Sequence, residues 1–141
     1  MRRRLGFCLL ALLVVVPVRA QGPLTPAASV TSTVYDGTTP ILPRFEVIDK
    51  AGSGDNALIA AVAGKKIRVL AVTLTMTGTL VTIRFESGAS GTPLTGQMGP
   101  LAGNTITLPF SPVGWFETST NELLNMELGG AQSVDGAIVY V

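Results

Sequence analysis

The sequence contains no histidine, and its single cysteine, Cys8, lies within the first 20 residues. The rest of the chain therefore has no thiol nucleophile, no imidazole base, no disulfide and no Cys/His metal site. It also has no G-x-S-x-G nucleophile elbow and no glycine-rich loop that ends in Lys-Ser or Lys-Thr. We expect no catalytic residue, no metal ligand and no cofactor, and we expect that the protein is not an enzyme.

Charge is scarce as well, because charged residues make up 13% of the chain. Four of the ten basic residues lie in the first 20 positions, so the remaining six face nine acidic residues and the net charge of that part is −3. A protein that binds nucleic acid through phosphate contacts needs a basic stripe. The composition therefore predicts no nucleic-acid partner.

Three carboxylates lie close together in the sequence, which invites comparison with the acid pair of a glycosidase. They are Glu117, Glu122 and Glu127, and Trp115 beside them could stack on a sugar. Aromatic residues make up only 6% of the chain, so a cleft lined with rings is not indicated. The favoured interpretation is a set of outward carboxylates near a core tryptophan. Binding of a carbohydrate or cell-envelope ligand stays open as the alternative function.

The first 20 residues have the layout of a secretory signal peptide. Arginines at positions 2–4 precede a 14-residue apolar run, and Val18-Arg19-Ala20 places small or apolar residues before a cut at Gln21. A membrane-spanning helix needs about 20 apolar residues, so a retained anchor is the less favoured alternative. We expect a secreted or extracytoplasmic chain that begins at Gln21 and has no stable membrane span after cleavage.

Residues 21–43 are predicted to form a flexible or docking arm. Proline occurs four times among Thr, Ser, Ala and Gly, and such a composition favours an extended or disordered chain. A few apolar side chains in the arm could become ordered on a neighbouring surface. The candidate interaction residues are these side chains and the one tryptophan: Val34, Tyr35, Ile41, Leu42 and Trp115.

Beyond the arm, apolar and polar side chains alternate, and glycine-rich turns interrupt the pattern. A period of two indicates β-strands that are buried on one face. In the clearest strand, residues 67–77, the even positions from Leu70 onward form an apolar face, and Ile67 and Val69 lie on the opposite face. Residues 79–86 resume the pattern after one glycine, which predicts a β-hairpin.

We predict one antiparallel β-sandwich or jelly roll of six to eight short strands over residues 44–141. The 16 threonines and 15 glycines that follow residue 20 suit strands and turns better than helices. A turn is predicted at residues 51–56, and Glu86 and Asn125 are predicted to point away from the core. The predicted core side chains are Leu70, Val72, Leu74, Val81, Ile83, Phe85, Leu124, Met126 and Ile138.

Five blocks in the second half of the chain carry a resemblance to a known family. They are GKKIRVL at 64–70, VTIRFESG at 81–88, TPLTGQM at 92–98, GWFETSTNELLNMEL at 114–128 and SVDGAIVYV at 133–141. Over about residues 57–141 the chain resembles small phage-associated β-sandwich proteins of the head-decoration or virion-surface type. The resemblance implies a non-enzymatic structural role, self-association and attachment to a capsid or tail. It transfers no functional residue.

The leader and the resemblance predict different locations, because virion proteins assemble in the cytoplasm and normally lack a signal peptide. If the chain is phage-encoded, it would belong to the virion. If a phage-type domain has come to serve a cellular protein, it would lie at the cell exterior. In both cases we expect a homo-oligomer, or a component of a capsid, tail or cell-surface assembly. Unpaired sheet edges favour such pairing. Pro93 would hinder pairing at one predicted edge strand. Residues 134–141, predicted to form an open edge, carry one charge and no proline.

Overall fold

The computed structural model describes residues 34–78 and 82–141, and this part of the chain contains eleven strands and no helix. All strand pairs are antiparallel, which confirms the predicted all-β class. Within the same residues no helix is long and apolar enough to cross a membrane. The strands are β1 Val34–Asp36, β2 Thr39–Ile41, β3 Arg44–Lys50, β4 Gly54–Ile59, β5 Arg68–Met76, β6 Ile83–Ser87, β7 Thr92–Pro93, β8 Thr105–Leu108, β9 Phe116–Glu117, β10 Leu124–Leu128 and β11 Val134–Tyr140.

Two sheets form the sandwich. The four-stranded sheet has the order β4-β10-β6-β7, and the five-stranded sheet has the order β3-β11-β5-β8, with β9 paired to the start of β5. The chain crosses from one sheet to the other at each step from β3 to β6, and again between β7 and β8, between β9 and β10 and between β10 and β11. This crossing pattern is that of a jelly roll, one of the two predicted architectures.

The core lies between the two sheets and is built from alternate residues of the central strands. Among its members, Phe85 has no exposed surface, and its ring centroid lies 5.1 Å from that of Phe116. Val81 lies outside the described residues. The predicted side chains that the structure confirms in the core cluster are Val72, Leu74, Ile83, Phe85, Leu124, Met126 and Ile138.

A β-bulge near the start of β5 makes part of the predicted facing wrong. Val139 pairs with Ala71, whereas the next residue of β11 pairs with Val69, so Leu70 is an extra residue on its strand. One extra residue shifts the alternation of side chains. Ile67 and Val69 consequently belong to the core cluster, and Leu70 is buried outside it.

The predicted hairpin between β5 and β6 is also wrong, because the two strands lie in different sheets. β6 pairs with β10 and β7, whereas β5 pairs with β11, β8 and β9. Alternation shows which face of a strand is buried, but it does not show which strand lies beside it. A crossover and a hairpin therefore give the same sequence pattern.

The strand at residues 134–141, predicted as an open edge, is central. β11 lies between β3 and β5, and the outermost strands of the two sheets are β3, β8, β4 and β7. Pro93 stands in β7, an edge strand as predicted. The predicted turn at 51–56 is shorter in the structure, because β4 begins at Gly54 and pairs with β10 from there.

A β-hairpin lies inside the predicted arm. β1 pairs with β2, and Gly37, with a φ of 60°, occupies the turn between them. Residues 1–33 lie outside the described residues, so the signal peptide at 1–20, the first half of the arm and the division at residue 44 stay predictions. The hairpin immediately precedes β3, which is an edge strand of the five-stranded sheet.

Candidate interaction surfaces

Exposed apolar side chains collect at one end of the sandwich. Arg44 pairs with Tyr140, and Tyr140 pairs with Val69, so the start of β3, the end of β11 and the start of β5 lie at the same end. The loop at 109–115 lies there as well, because its backbone bonds to the start of β5. We call this surface the apolar end, and its exposed side chains are Leu42, Phe45, Val62, Phe110, Val113 and Trp115.

Loop 109–115 is held by specific hydrogen bonds. The backbone N–H of Ser111 donates to the carbonyl oxygen of Leu70, and that of Trp115 donates to the carbonyl oxygen of Val69, both at 2.8 Å. The Trp115 indole N–H donates to the carbonyl oxygen of Pro109 at 2.7 Å. These bonds fix the direction of the ring, and its exposed fraction is 48%. Trp115 is therefore a surface residue, and its interpretation as a core tryptophan is wrong.

An ion-pair cluster borders the loop. The Glu117 carboxylate accepts from Lys66 Nζ at 2.7 Å through one oxygen, and from Arg68 Nε at 3.2 Å through the other. The hydrogen bond from Lys66, followed by that from Arg68, holds the pKa of the Glu117 carboxyl below its usual value despite partial desolvation. The cluster ties β9 to the start of β5 and fixes the residues on both sides of Trp115.

The three carboxylates singled out in the sequence do not form an acid pair. Glu117 lies on the five-stranded sheet with its two cations. Glu127 lies on the four-stranded sheet in an ion pair with Arg84. Glu122 accepts a hydrogen bond from Ser87 Oγ at 3.3 Å. Each of these three carboxylates therefore has its own polar partners among the described residues.

A polar network covers the outside of the four-stranded sheet. Asn125 Nδ2 donates to Asp55 at 2.6 Å and to Glu86 at 3.2 Å, and Arg84 pairs with Glu86. Hydrogen bonds from Ser90 lower the pKa of Asp55, and the bond to Glu86 is the main cause that raises the pKa of Arg84. Glu86 and Asn125 point away from the core as predicted, yet neither is exposed. The network consequently joins β4, β6 and β10.

Potential metal ligands do not cluster in the described part of the chain. Across residues 34–78 and 82–141, no group of three His, Cys, Asp or Glu side chains could hold a metal ion. The Asn125 Oδ1 atom is buried without a hydrogen-bond partner among these residues. It belongs to the amide whose nitrogen already binds two carboxylates, so its position follows from that network.

The candidate interaction residues separate into buried and exposed ones. Val34 is buried and Ile41 is half-buried, whereas Tyr35, Leu42 and Trp115 are exposed. Leu42 and Trp115 both belong to the apolar end, which the topology brings together from distant parts of the sequence.

Sequence reasoning missed the remaining exposed apolar side chains. Phe45 and Val47 lie in β3, whose first four residues are exposed. In the sequence, the exposed first residues of an edge strand have the same pattern as the residues of a central strand. Phe110 and Val113 stand beside Pro109 and Pro112, and that proline spacing was the available signal for a stiff, exposed loop.

No protein-family model and no curated protein matches this chain. Among solved structures, it is similar to a chain of the Bacillus endospore appendages, described as a novel family of disulfide-linked pili. That similarity has 20% identity, a TM-score of 0.45, and coverage of 70% of this chain and 82% of the other. A chain of infectious bursal disease virus, strain Gx, has 14% identity, a TM-score of 0.29, and coverage of 75% and 35%. Both TM-scores are too low to assign a function, and neither neighbour is specifically a phage decoration protein.

Proposed function

We propose that this protein is a non-enzymatic structural protein whose jelly-roll domain assembles with copies of itself. The observation that supports the proposal most is the apolar end, where six large side chains from three separate segments are exposed. A concentration of exposed apolar side chains at one end is a feature of interaction sites in soluble proteins. Leu42 alone is 77% exposed. Contact with a second copy would remove this surface from water.

The sequence composition supports the non-enzymatic part of the proposal. A chain without histidine, and without cysteine beyond Cys8, lacks the side chains most often used as base or nucleophile near neutral pH. Three of the acidic side chains that remain, Glu86, Glu117 and Glu127, are held in ion pairs with lysine or arginine. The site chemistry is thus that of packing and ion pairing.

The wider assembly is proposed from the sequence. The signal-peptide layout supports an extracytoplasmic structure, and the resemblance of residues 57–141 supports a capsid or tail component. Mass spectrometry of the exported protein would separate these settings, because signal cleavage gives an N-terminus at Gln21. A chain that keeps Met1 in its assembled form would contradict export by cleavage and favour assembly in the cytoplasm.

Light scattering after size-exclusion chromatography tests self-assembly directly. We expect the chain from Gln21 to elute above its monomer mass at micromolar concentration. Leu42→Glu should reduce the assembled fraction, because it places a charge in the apolar end. Leu101→Glu is the matched control, since Leu101 is 63% exposed and lies at the opposite end. A monomer at every concentration would contradict the proposal.

A second candidate function rests on the hollow beside Trp115. This hollow has a volume of about 150 Å³, and residues 113–117 line it together with Arg68. A fixed aromatic ring with charged groups at its rim suits a sugar. Trp115 is the sole tryptophan, so a saturable change in its fluorescence with glycans would support binding. An unchanged spectrum would leave assembly as the function of this surface.

A further inference from the structure

The five-stranded sheet packs one face against the core, and Phe45, Val47 and Thr73 on its outer face are exposed. The paired strands place side chains on the outer face in rows that run across β3, β11 and β5. The two middle rows hold only uncharged side chains. These rows consist of Phe45, Val139, Ala71, Val47, Ala137 and Thr73.

The two ends of this outer face carry opposite charge. At one end, Asp49 and Asp135 are directly paired across β3 and β11. Neither has an ion-pair partner among the described residues, and like charges that face each other across strands are destabilising. At the other end, Lys66 and Arg68 share the single carboxylate of Glu117. The formal charges are therefore −2 at one end and +1 at the other.

We propose that the outer face is a contact between two copies of this chain, related by a two-fold axis that runs across the strands between the middle rows. The proposal rests on the proposed self-assembly and adds a second contact to the apolar end. The axis exchanges the rows, so Phe45 lies over Val47 of the second copy and Val139 lies over Ala137 of the second copy. It also places the acidic end of each copy over the basic end of the other. A surface that is complementary to itself in this way is what a two-fold interface requires.

The size of the face indicates a weak contact. Four strands about 4.8 Å apart and seven residues of about 3.3 Å each span about 19 by 23 Å, or about 440 Å² in projection. A standard interface buries about 800 Å² of accessible surface per partner. The middle rows can pack sheet against sheet without burying a charge. We therefore expect concentration-dependent pairing, to which the charged ends add orientation.

Cysteine cross-linking tests this face, because the chain has no cysteine beyond Cys8. Thr73→Cys, in the chain from Gln21, should form a covalent dimer with a bis-maleimide that spans two packed sheets, about 10 Å apart. Thr92→Cys is the matched control: it is also an exposed strand threonine, but it lies on β7 of the other sheet. We expect at least about tenfold more dimer with Thr73→Cys, a ratio that corresponds to about 1.4 kcal/mol.

A charge reversal tests the orientation. Asp135→Lys, added to Thr73→Cys, should lower the cross-linked fraction about tenfold, because the new cation would lie one strand away from Arg68 of the second copy. Glu46→Lys makes the same change in charge on the opposite side of β3 and should leave cross-linking unchanged. Equal cross-linking at positions 73 and 92, or no effect of Asp135→Lys, would overturn the two-fold contact. If light scattering still shows assembly in those samples, the proposed self-assembly stands without the two-fold contact. If it shows only monomer, both the self-assembly and the two-fold contact are contradicted.

Discussion

At the scale of the residue, Phe85 carries the largest single packing contribution. It is the largest side chain with no exposed surface, and it packs against the ring of Phe116. Phe85→Ala should lower the free energy of unfolding by about 3–5 kcal/mol, a large part of a total of about 5–15 kcal/mol. Denaturant titration measures this change. Phe45→Ala removes the same ring from an exposed site, and a loss as large as that of Phe85→Ala would contradict the assigned core.

Glu117 gives the fold a dependence on pH. Its pKa is held low in the folded chain, mainly by Lys66, so the ionised form stabilises the fold above the usual glutamate pKa of about 4.3. That contribution is lost as the pH falls through the folded pKa. Glu117→Gln should therefore lower the melting temperature at pH 7, and the difference from wild type should shrink below about pH 4. Exposed pairs are worth about 0.2–1 kcal/mol, so the shift should be small.

The control for this experiment is Glu46→Gln. Glu46 is exposed and forms no ion pair among the described residues. It should change the melting temperature little at either pH. A Glu117→Gln difference that stays constant from pH 7 to pH 3 would show that the ion pairs with Lys66 and Arg68 do not contribute.

At the scale of the element, β11 depends on a glycine. A Cβ atom at Gly136 would lie 1.9 Å from the carbonyl oxygen of Thr73 in the neighbouring central strand. Because both partners are backbone, β5 and β11 would have to separate, and overpacking of this kind costs about 1–3 kcal/mol. We expect Gly136→Ala to lower the free energy of unfolding by that amount. Gly96→Ala, where nothing lies within 4 Å of the added atom, should be nearly neutral.

The alternation of side chains predicted most of the core, since burial of one face needs only a period of two. Phe85 and Met126 follow from that rule alone. The facing of Leu70 does not follow from it, because the bulge arises from pairing with β11 and has no local signal in the sequence. The partners of β6 were also missed, since the chain crosses between sheets where a hairpin would have the same pattern. Strand pairing depends on residues far apart in the sequence, and it determines both the facing of Leu70 and the partners of β6.

At the scale of the whole molecule, the candidate surface is harder to predict than the core. Leu42 and Trp115 could be named as unusual apolar residues, but 73 positions separate them in the chain. Their meeting at one end depends on β3 and β5 both flanking β11. The charge difference across the outer face has the same origin, because Asp49 and Asp135 become neighbours only through that pairing. Topology thus produces the surface from residues whose local patterns are ordinary.

The predicted arm is the part of the whole molecule whose contribution to assembly can be tested by truncation. A chain that begins at Arg44 lacks β1 and β2, and with them the exposed apolar side chains of Leu42 and Tyr35. Burial of such surface on a neighbour is favourable by about 25 cal/mol per Å² and must exceed the entropy that the arm loses on ordering. We expect the chain from Arg44 to have a lower mass in light scattering than the chain from Gln21 at equal micromolar concentration. A chain from Ser32, which keeps the hairpin, is the matched control and should recover part of the assembly. Equal masses for the chains from Gln21 and Arg44, with both folded by circular dichroism, would show that the arm only tethers the domain and that assembly depends on the sheets.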